Sequence, residues 1–254
     1  MGQYDVGQPV PRTEDPRLLT GGGRYTDDVS LPNQVRGHVL RSPYAHARIV
    51  SIDMGAAMAM PGVLTILTGA DYEEDGLGHL KCGSKWNESQ FQNPWPALPV
   101  DRVRYVGDPV AFVVATTLEY AKDAAEAIAV DYEVLPALTS TESAMDEGVP
   151  IVWDDCARNE CFRVERGYPE ETKAAFAKAD VIVECEFRIT RTVTNTIEPR
   201  SYLGDYNATD RRYTLFTGCH YPHKIREQFA TEVFGIAEQD MRVVAGDIGG
   251  SFGL

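Results

Sequence analysis

The residues best suited to chemistry sit in one cluster, Gly246-Asp247-Ile248-Gly249-Gly250-Ser251-Phe252-Gly253. Glycine admits positive φ and lets the backbone approach another group closely. A strand over residues 241–245 that feeds such a loop can present N–H groups to an anionic ligand. The competing reading of the same residues is a tight strand–helix turn. Ending inside this arrangement, the chain is expected to lack a remainder. Other chemical candidates are weaker. His46 has no second ligand at i+2 or i+4, so the expectation is a hydrogen-bonded structural histidine. Gly21–Gly23 is followed by no Lys-Ser/Thr, which excludes a Walker loop and favours a turn. The five cysteines, at 82, 156, 161, 185 and 219, contain no CxxC pair and no four-cysteine cluster for zinc or iron–sulfur. They read as reduced, buried thiols of a cytoplasmic protein.

The elements that must position the cluster follow from patterning. The 254 residues suffice for one large or two ordinary domains. A net charge of −14 argues against a nucleic-acid surface. No 18-residue apolar run is present, so no membrane span is expected, and the first residues do not read as a secretory signal. Residues 1–34, rich in Pro and Gly, read as an arm that packs only at Leu18, Leu19 and Tyr25. Strands are expected at 34–40, 45–53, 63–67, 110–115, 130–134, 181–194, 201–207, 214–217 and 241–245. Helices are expected at 55–60, 117–129, 171–179 and 223–234. Of these, 117–129 is clearest, with Ala121, Ala124, Ala125, Ile128 and Ala129 at helical spacing. Residues 72–98 read as a surface loop. Strands and helices mix without a strict βαβ repeat, which predicts an α+β fold.

The order of motifs resembles the N-terminal part of one family. It is the molybdopterin-binding large subunit of the xanthine dehydrogenase, aldehyde oxidase and aerobic carbon monoxide dehydrogenase family. Glu14-Asp-Pro-Arg-Leu-Leu-Thr-Gly21, Tyr25-Thr-Asp-Asp28, Leu40-Arg-Ser-Pro-Tyr-Ala-His-Ala-Arg-Ile49 and Val103-Arg-Tyr-Val-Gly-Asp-Pro-Val110 resemble its "hammerhead" domain. Val130-Asp-Tyr-Glu-Val-Leu-Pro136 resembles the close of that domain. Asn195-Thr-Ile-Glu-Pro-Arg200 and Asp247-Ile-Gly-Gly-Ser-Phe-Gly253 resemble the start of the molybdopterin-binding domain. Between the arm at 1–34 and a turn- and charge-rich linker read at 137–170, the resemblance implies an α/β hammerhead domain at 35–136, and after the linker an incomplete molybdopterin-binding domain at 171–254.

It also implies a chemistry. The family hydroxylates an electrophilic carbon, of an aldehyde or N-heterocycle for example, with oxygen from water. The cofactor would be molybdenum–molybdopterin, with the metal held by pterin sulfurs and not by protein side chains. Iron–sulfur clusters and FAD would sit on partner subunits. The other partners would be the remaining part of the large subunit and a small-molecule substrate, with no nucleic acid and no membrane. Carried over by position, Gly249, Gly250, Ser251, Phe252 and Gly253 would form the loop beside the metal, and Phe252 would shape the substrate side. His220 stands where the family carries a glutamine that hydrogen-bonds a metal oxygen ligand. Either His220 does that work with altered pH dependence, or the site is modified or inactive. Glu198 and Arg200 would form a structural, buried charge pair. The family's general base would lie far beyond residue 254, so the chain alone is expected to be inactive and to hold no cofactor stably. The alternative is a non-catalytic assembly or binding module that retains the fold.

Overall fold

The computed structural model describes residues 7–81, 85–190 and 192–252. In chain order the elements are α1 (Asp15–Leu19), β1 (Arg36–Arg41), β2 (Ala47–Asp53), α2 (Gly55–Met58), β3 (Val63–Thr68) and α3 (Gly69–Glu74). Then follow β4 (Arg102–Val103), β5 (Pro109–Ala115), α4 (Leu118–Glu126), β6 (Ala129–Val134) and α5 (Pro169–Ala177). The last are β7 (Tyr202–Asn207), β8 (Arg212–Thr217), α6 (Pro222–Gln228) and β9 (Met241–Val244), with a π-helical turn at Phe229–Phe234 after α6. This is a mixed α+β fold, as the patterning implies.

The chain divides into two compact units. The larger holds Asn33–Arg191 with Glu232–Gly235. It contains two antiparallel three-stranded sheets, ordered β1-β5-β3 and β4-β2-β6. The continuous apolar run of β5 is central in the first sheet, and Val110, Ala111, Val113 and Ala115 are fully buried. Helix α4 lies on β1 and β5. Its spacing of Ala121, Ala124 and Ala125 puts three small side chains on one face, so the helix comes close to the sheet. Thr117 caps it by accepting the Tyr120 N–H at 3.2 Å. Behind the second sheet, Ala47, Val103 and Val110 form a smaller core. His46 is the structural histidine expected of it, with Nδ1 2.7 Å from the Pro136 carbonyl, to which it donates.

The smaller unit is built from Met1–Pro32, Thr192–Thr231 and Ile236–Leu254. Its sheet has the order β7-β8-β9, with β7–β8 antiparallel and β8–β9 parallel. A parallel pair needs a crossover, and α6, packed on β9, lies in it. Pro222 opens α6 at a first-turn position, where its missing N–H costs nothing.

Four expectations are corrected. Residues 181–190, expected within a strand, belong to no strand or helix and are exposed throughout. Leu19 does not anchor the arm, being 86% exposed, whereas Leu18 and Tyr25 are half-buried. Among the described cysteines only Cys156 is buried, while Cys161 and Cys219 are half-buried and Cys185 is exposed; Cys82 lies outside the described residues. Segment 72–98, expected as a loop, begins inside α3 and then runs irregularly, with one bridge between Leu80 and Trp95.

Candidate functional site

The parallel pairing of β8 and β9 decides where the candidate site lies. Tyr213 faces Met241 and Phe216 faces Val244, so both strands run in one direction. Their connections therefore leave from the same edge, the place where ligands bind in parallel α/β arrangements. The segment after β8 is Gly218-Cys219-His220, and the one after β9 is the glycine cluster.

Glu198 joins the two. Its Oε2 accepts the Gly249 N–H at 2.6 Å, and its Oε1 accepts the Thr26 N–H at 3.4 Å. The Glu198 N–H donates back to the Gly249 carbonyl at 3.4 Å. A Cβ at position 249 would overlap the Glu198 Cβ, and one at 218 would lie 3.8 Å from the Glu198 carboxylate. Both glycines are thus side-chain-free surfaces around one carboxylate. This corrects the expected pair of Glu198 with Arg200. Arg200 is exposed, and no ion pair joins the two among the described residues. A carboxylate between two backbone donors has less use for a guanidinium.

A second clamp holds the start of the cluster. Arg17 grips Asp247 in a fork, with Nη1–Oδ2 and Nη2–Oδ1 both at 2.7 Å. The Arg24 N–H donates to Asp247 Oδ2 at 2.7 Å, and the Asp247 N–H returns to the Arg24 carbonyl at 3.0 Å. A planar guanidinium matches a carboxylate in this bidentate way. The Arg17 hydrogen bonds, then the Arg24 N–H, hold the Asp247 carboxyl far below the usual carboxylate range. A Cβ at Gly246 would come within 2.7 Å of the Arg24 carbonyl, so the close approach of arm and loop requires glycine there.

Beyond these clamps the backbone turns sharply. Gly250 has φ +132° and Phe252 φ +47°, and no hydrogen bond to another described residue is formed by their N–H groups or that of Ser251. Phe252 is 76% exposed. His220 is also exposed, with its ring 6.3 Å from that of Tyr221. Gly253 lies outside the described residues. Gly249, expected to offer its N–H outward, spends it on Glu198. Among the described residues no group of three His, Cys, Asp or Glu side chains is placed to hold a metal. The donor set is backbone amide. That set fits an anionic, pterin-held group, in which the pterin rather than the chain ligates the metal. That Arg17 and Arg24 hold Asp247 was not read from the sequence. Both stand more than 220 residues from Asp247, and no short spacing links them to it.

The larger unit holds a cavity of about 620 Å³ lined by Trp95, Arg104, Asp108, Trp153, Cys156 and Cys161. Its charges are already engaged. Arg104 lies 3.9 Å over the Trp153 ring, donates Nε to Val152 and gives its N–H to Asp108. Burial, with Cys161 beside it, pushes the Cys156 thiol up to about 11, which makes it a poor nucleophile.

Comparison with known proteins places these features. The family model described as aldehyde oxidase and xanthine dehydrogenase, a/b hammerhead domain, matches residues 20–136. That described as molybdopterin cofactor-binding domain matches residues 152–254. The chain is 35% identical to the carbon monoxide dehydrogenase large chain of Afipia carboxidovorans, over 95% of this chain and 30% of that one. It is 33% identical to the nicotine 6-hydroxylase large subunit of Paenarthrobacter nicotinovorans, over 98% of this chain and 30% of that subunit. Among solved structures, quinoline 2-oxidoreductase from Pseudomonas putida superposes with a TM-score of 0.87 at 36% identity, covering 99% of this chain and 31% of that one. The fold is therefore that of molybdopterin-binding oxidoreductase large subunits. The chain belongs to the aldehyde oxidase and xanthine dehydrogenase family. It spans 30% of the length of the curated relatives just named.

Proposed function

We propose that the chain supplies the first part of a molybdenum hydroxylase large subunit: the hammerhead domain and the first wall of the molybdopterin site. The observation that carries this reading is the glycine loop fixed at the carboxyl edge of β8 and β9, by Glu198 on one side and the Arg17–Asp247 clamp on the other. The bound cofactor would supply the oxidation of a small substrate with oxygen from water, and the electrons would pass to iron–sulfur and FAD partners. The chain's own residues orient and shield. Gly250 and Ser251 offer N–H groups to the cofactor's anionic atoms, Phe252 walls the substrate side, and Gly249 with Glu198 keeps the loop in place. His220, at the carboxyl edge of β8, donates a hydrogen bond toward the cofactor's oxygen side. The rest of the large subunit provides the remaining contacts and the proton acceptor. The substrate is a small electrophile; carbon monoxide, nicotine and quinoline, named for the relatives, mark the range.

The test is molybdenum and pterin content of the complete large subunit. At Gly250 the backbone has φ +132° and a Cβ would meet Thr196 at 2.9 Å. Gly250→Val is therefore expected to lower molybdenum per subunit by about tenfold, the equivalent of about 1.4 kcal/mol in binding. Unchanged molybdenum content would remove the loop from the site. Stoichiometric molybdopterin on the isolated 254-residue chain would show that the rest of the subunit is not needed.

A further inference from the structure

Residues 181–190 have a strand's sequence and belong to none of the strands among the described residues. Val181, Val183, Cys185, Phe187 and Ile189 alternate with Ile182, Glu184, Glu186, Arg188 and Thr190. Beyond Ile182, that is the period-two pattern of a half-buried strand. Yet Val181 is 78% exposed, Val183 79%, Phe187 84% and Ile189 93%. Arg188 forms an ion pair with Glu142 at 3.4 Å. The preceding helix α5 buries nothing, and its Phe176 is exposed as well. Monomeric proteins seldom expose so much contiguous apolar surface unless something covers it.

The area says how large the cover is. The chain exposes 18650 Å². Compact proteins of this mass expose about 11,000 Å², and even two separate compact bodies sharing it would expose about 13,000 Å². The excess of about 5,000 Å² lies on one partner alone, and it exceeds the share of about 1,000–2,500 Å² that one partner buries in an ordinary obligate interface. The chain spans 30% of its relatives' length, so a large subunit has more than twice as many further residues to provide that cover.

We propose that residues 181–190 add as a β-strand to an open sheet edge of the remaining large subunit, with the odd-numbered side chains closing a core shared by both parts. This rests on the function proposed above, since the partner is the rest of that subunit. Strand addition supplies affinity through main-chain hydrogen bonds and specificity through alternate side chains. Glu184, Glu186 and Arg188 then face away and keep the outer face polar.

Hydrogen exchange tests the pairing without substitution. In the complete large subunit the amides of 181–190 are expected to exchange about 100-fold or more slowly than in the 254-residue chain alone. Equal exchange in both would overturn the proposal. So would protection that appears in the chain alone as its concentration rises, because a second copy would then be the occupant. Substitution supplies the period. In the complete subunit Val183→Lys or Phe187→Lys is expected to reduce assembled, soluble protein about tenfold or more, while Glu184→Lys and Glu186→Lys stay within about twofold. Equal effects at odd and even positions would overturn it. Molybdenum content separates this proposal from the functional reading. A protected strand in a molybdenum-free subunit sinks only the function, and a molybdenum-loaded subunit with an unprotected segment sinks only the strand.

Discussion

Asp247 shows how single groups set the shape of the site. Its carboxyl is held below the usual carboxylate range by Arg17, so the folded state has the lower value. A depressed acid contributes stability that is complete above its unfolded value, about 3.9, and is lost as pH falls through the folded one. The clamp is thus intact at neutral pH and opens only in strong acid. Arg17→Ala is expected to raise the Asp247 titration midpoint toward the ordinary range, as read by carboxyl-carbon NMR. A midpoint left in place would mean that the fork contributes nothing in solution. Glu198 is fixed by packing as well. Gly249→Ala forces a methyl into the Glu198 Cβ, and an overpacked contact of this kind costs about 1–3 kcal/mol. Denaturant unfolding of the smaller unit should show that loss; a change under about 0.5 kcal/mol, the size of an ordinary surface substitution, would show that the loop relaxes freely. His220 carries a third prediction. A neutral imidazole donates from only one ring nitrogen and is shorter than an amide arm. In the complete enzyme His220→Gln should therefore change kcat by about tenfold, the equivalent of one such hydrogen bond, and an unaltered rate would exclude His220 from the chemistry.

At the scale of elements, most of the fold was legible in the sequence. The helix at Leu118–Glu126 follows from three alanines at helical spacing, and β5 from a run of apolar residues between two turn signals. Both signals are local, and local signals survive in a single sequence. What was not legible depended on distance. Glu198 carried no mark of its two backbone donors, and Arg17 none of its carboxylate 230 residues away. Residues 181–190 are the instructive failure. Their alternation was read correctly as a pattern, but a strand exists only when a neighbour pairs with it. The close seat of α4 gives the prediction at this scale. Ala124 is fully buried between helix and sheet, so Ala124→Leu should destabilise the larger unit by about 1–3 kcal/mol. A neutral result in thermal unfolding would mean that the seat is looser than the burial shows.

For the whole molecule, the two units differ in what they bury. Both apolar clusters of buried residues, around α4 with β5 and around Ala47 with Val103, belong to the larger unit. In the smaller unit the buried side chains among the described residues are Thr26, Thr217, Ala230 and Met241. Stability follows buried apolar area, so the smaller unit should open first when the chain stands alone. Every residue from 162 to 190 is exposed, which puts the easiest cleavage sites in that stretch. Brief proteolysis of the isolated chain is therefore expected to cut within 162–190 and leave a resistant piece beginning before β1 and ending after β6, identified by intact mass. Where opening and closing are fast, cleavage reports the population of the open form. The same bonds should resist in a complete large subunit, because the strand would be paired there and the smaller unit covered. Equal cleavage of the stretch in both forms would mean that the exposed segment is a linker, and that the other parts of such a subunit meet this chain elsewhere.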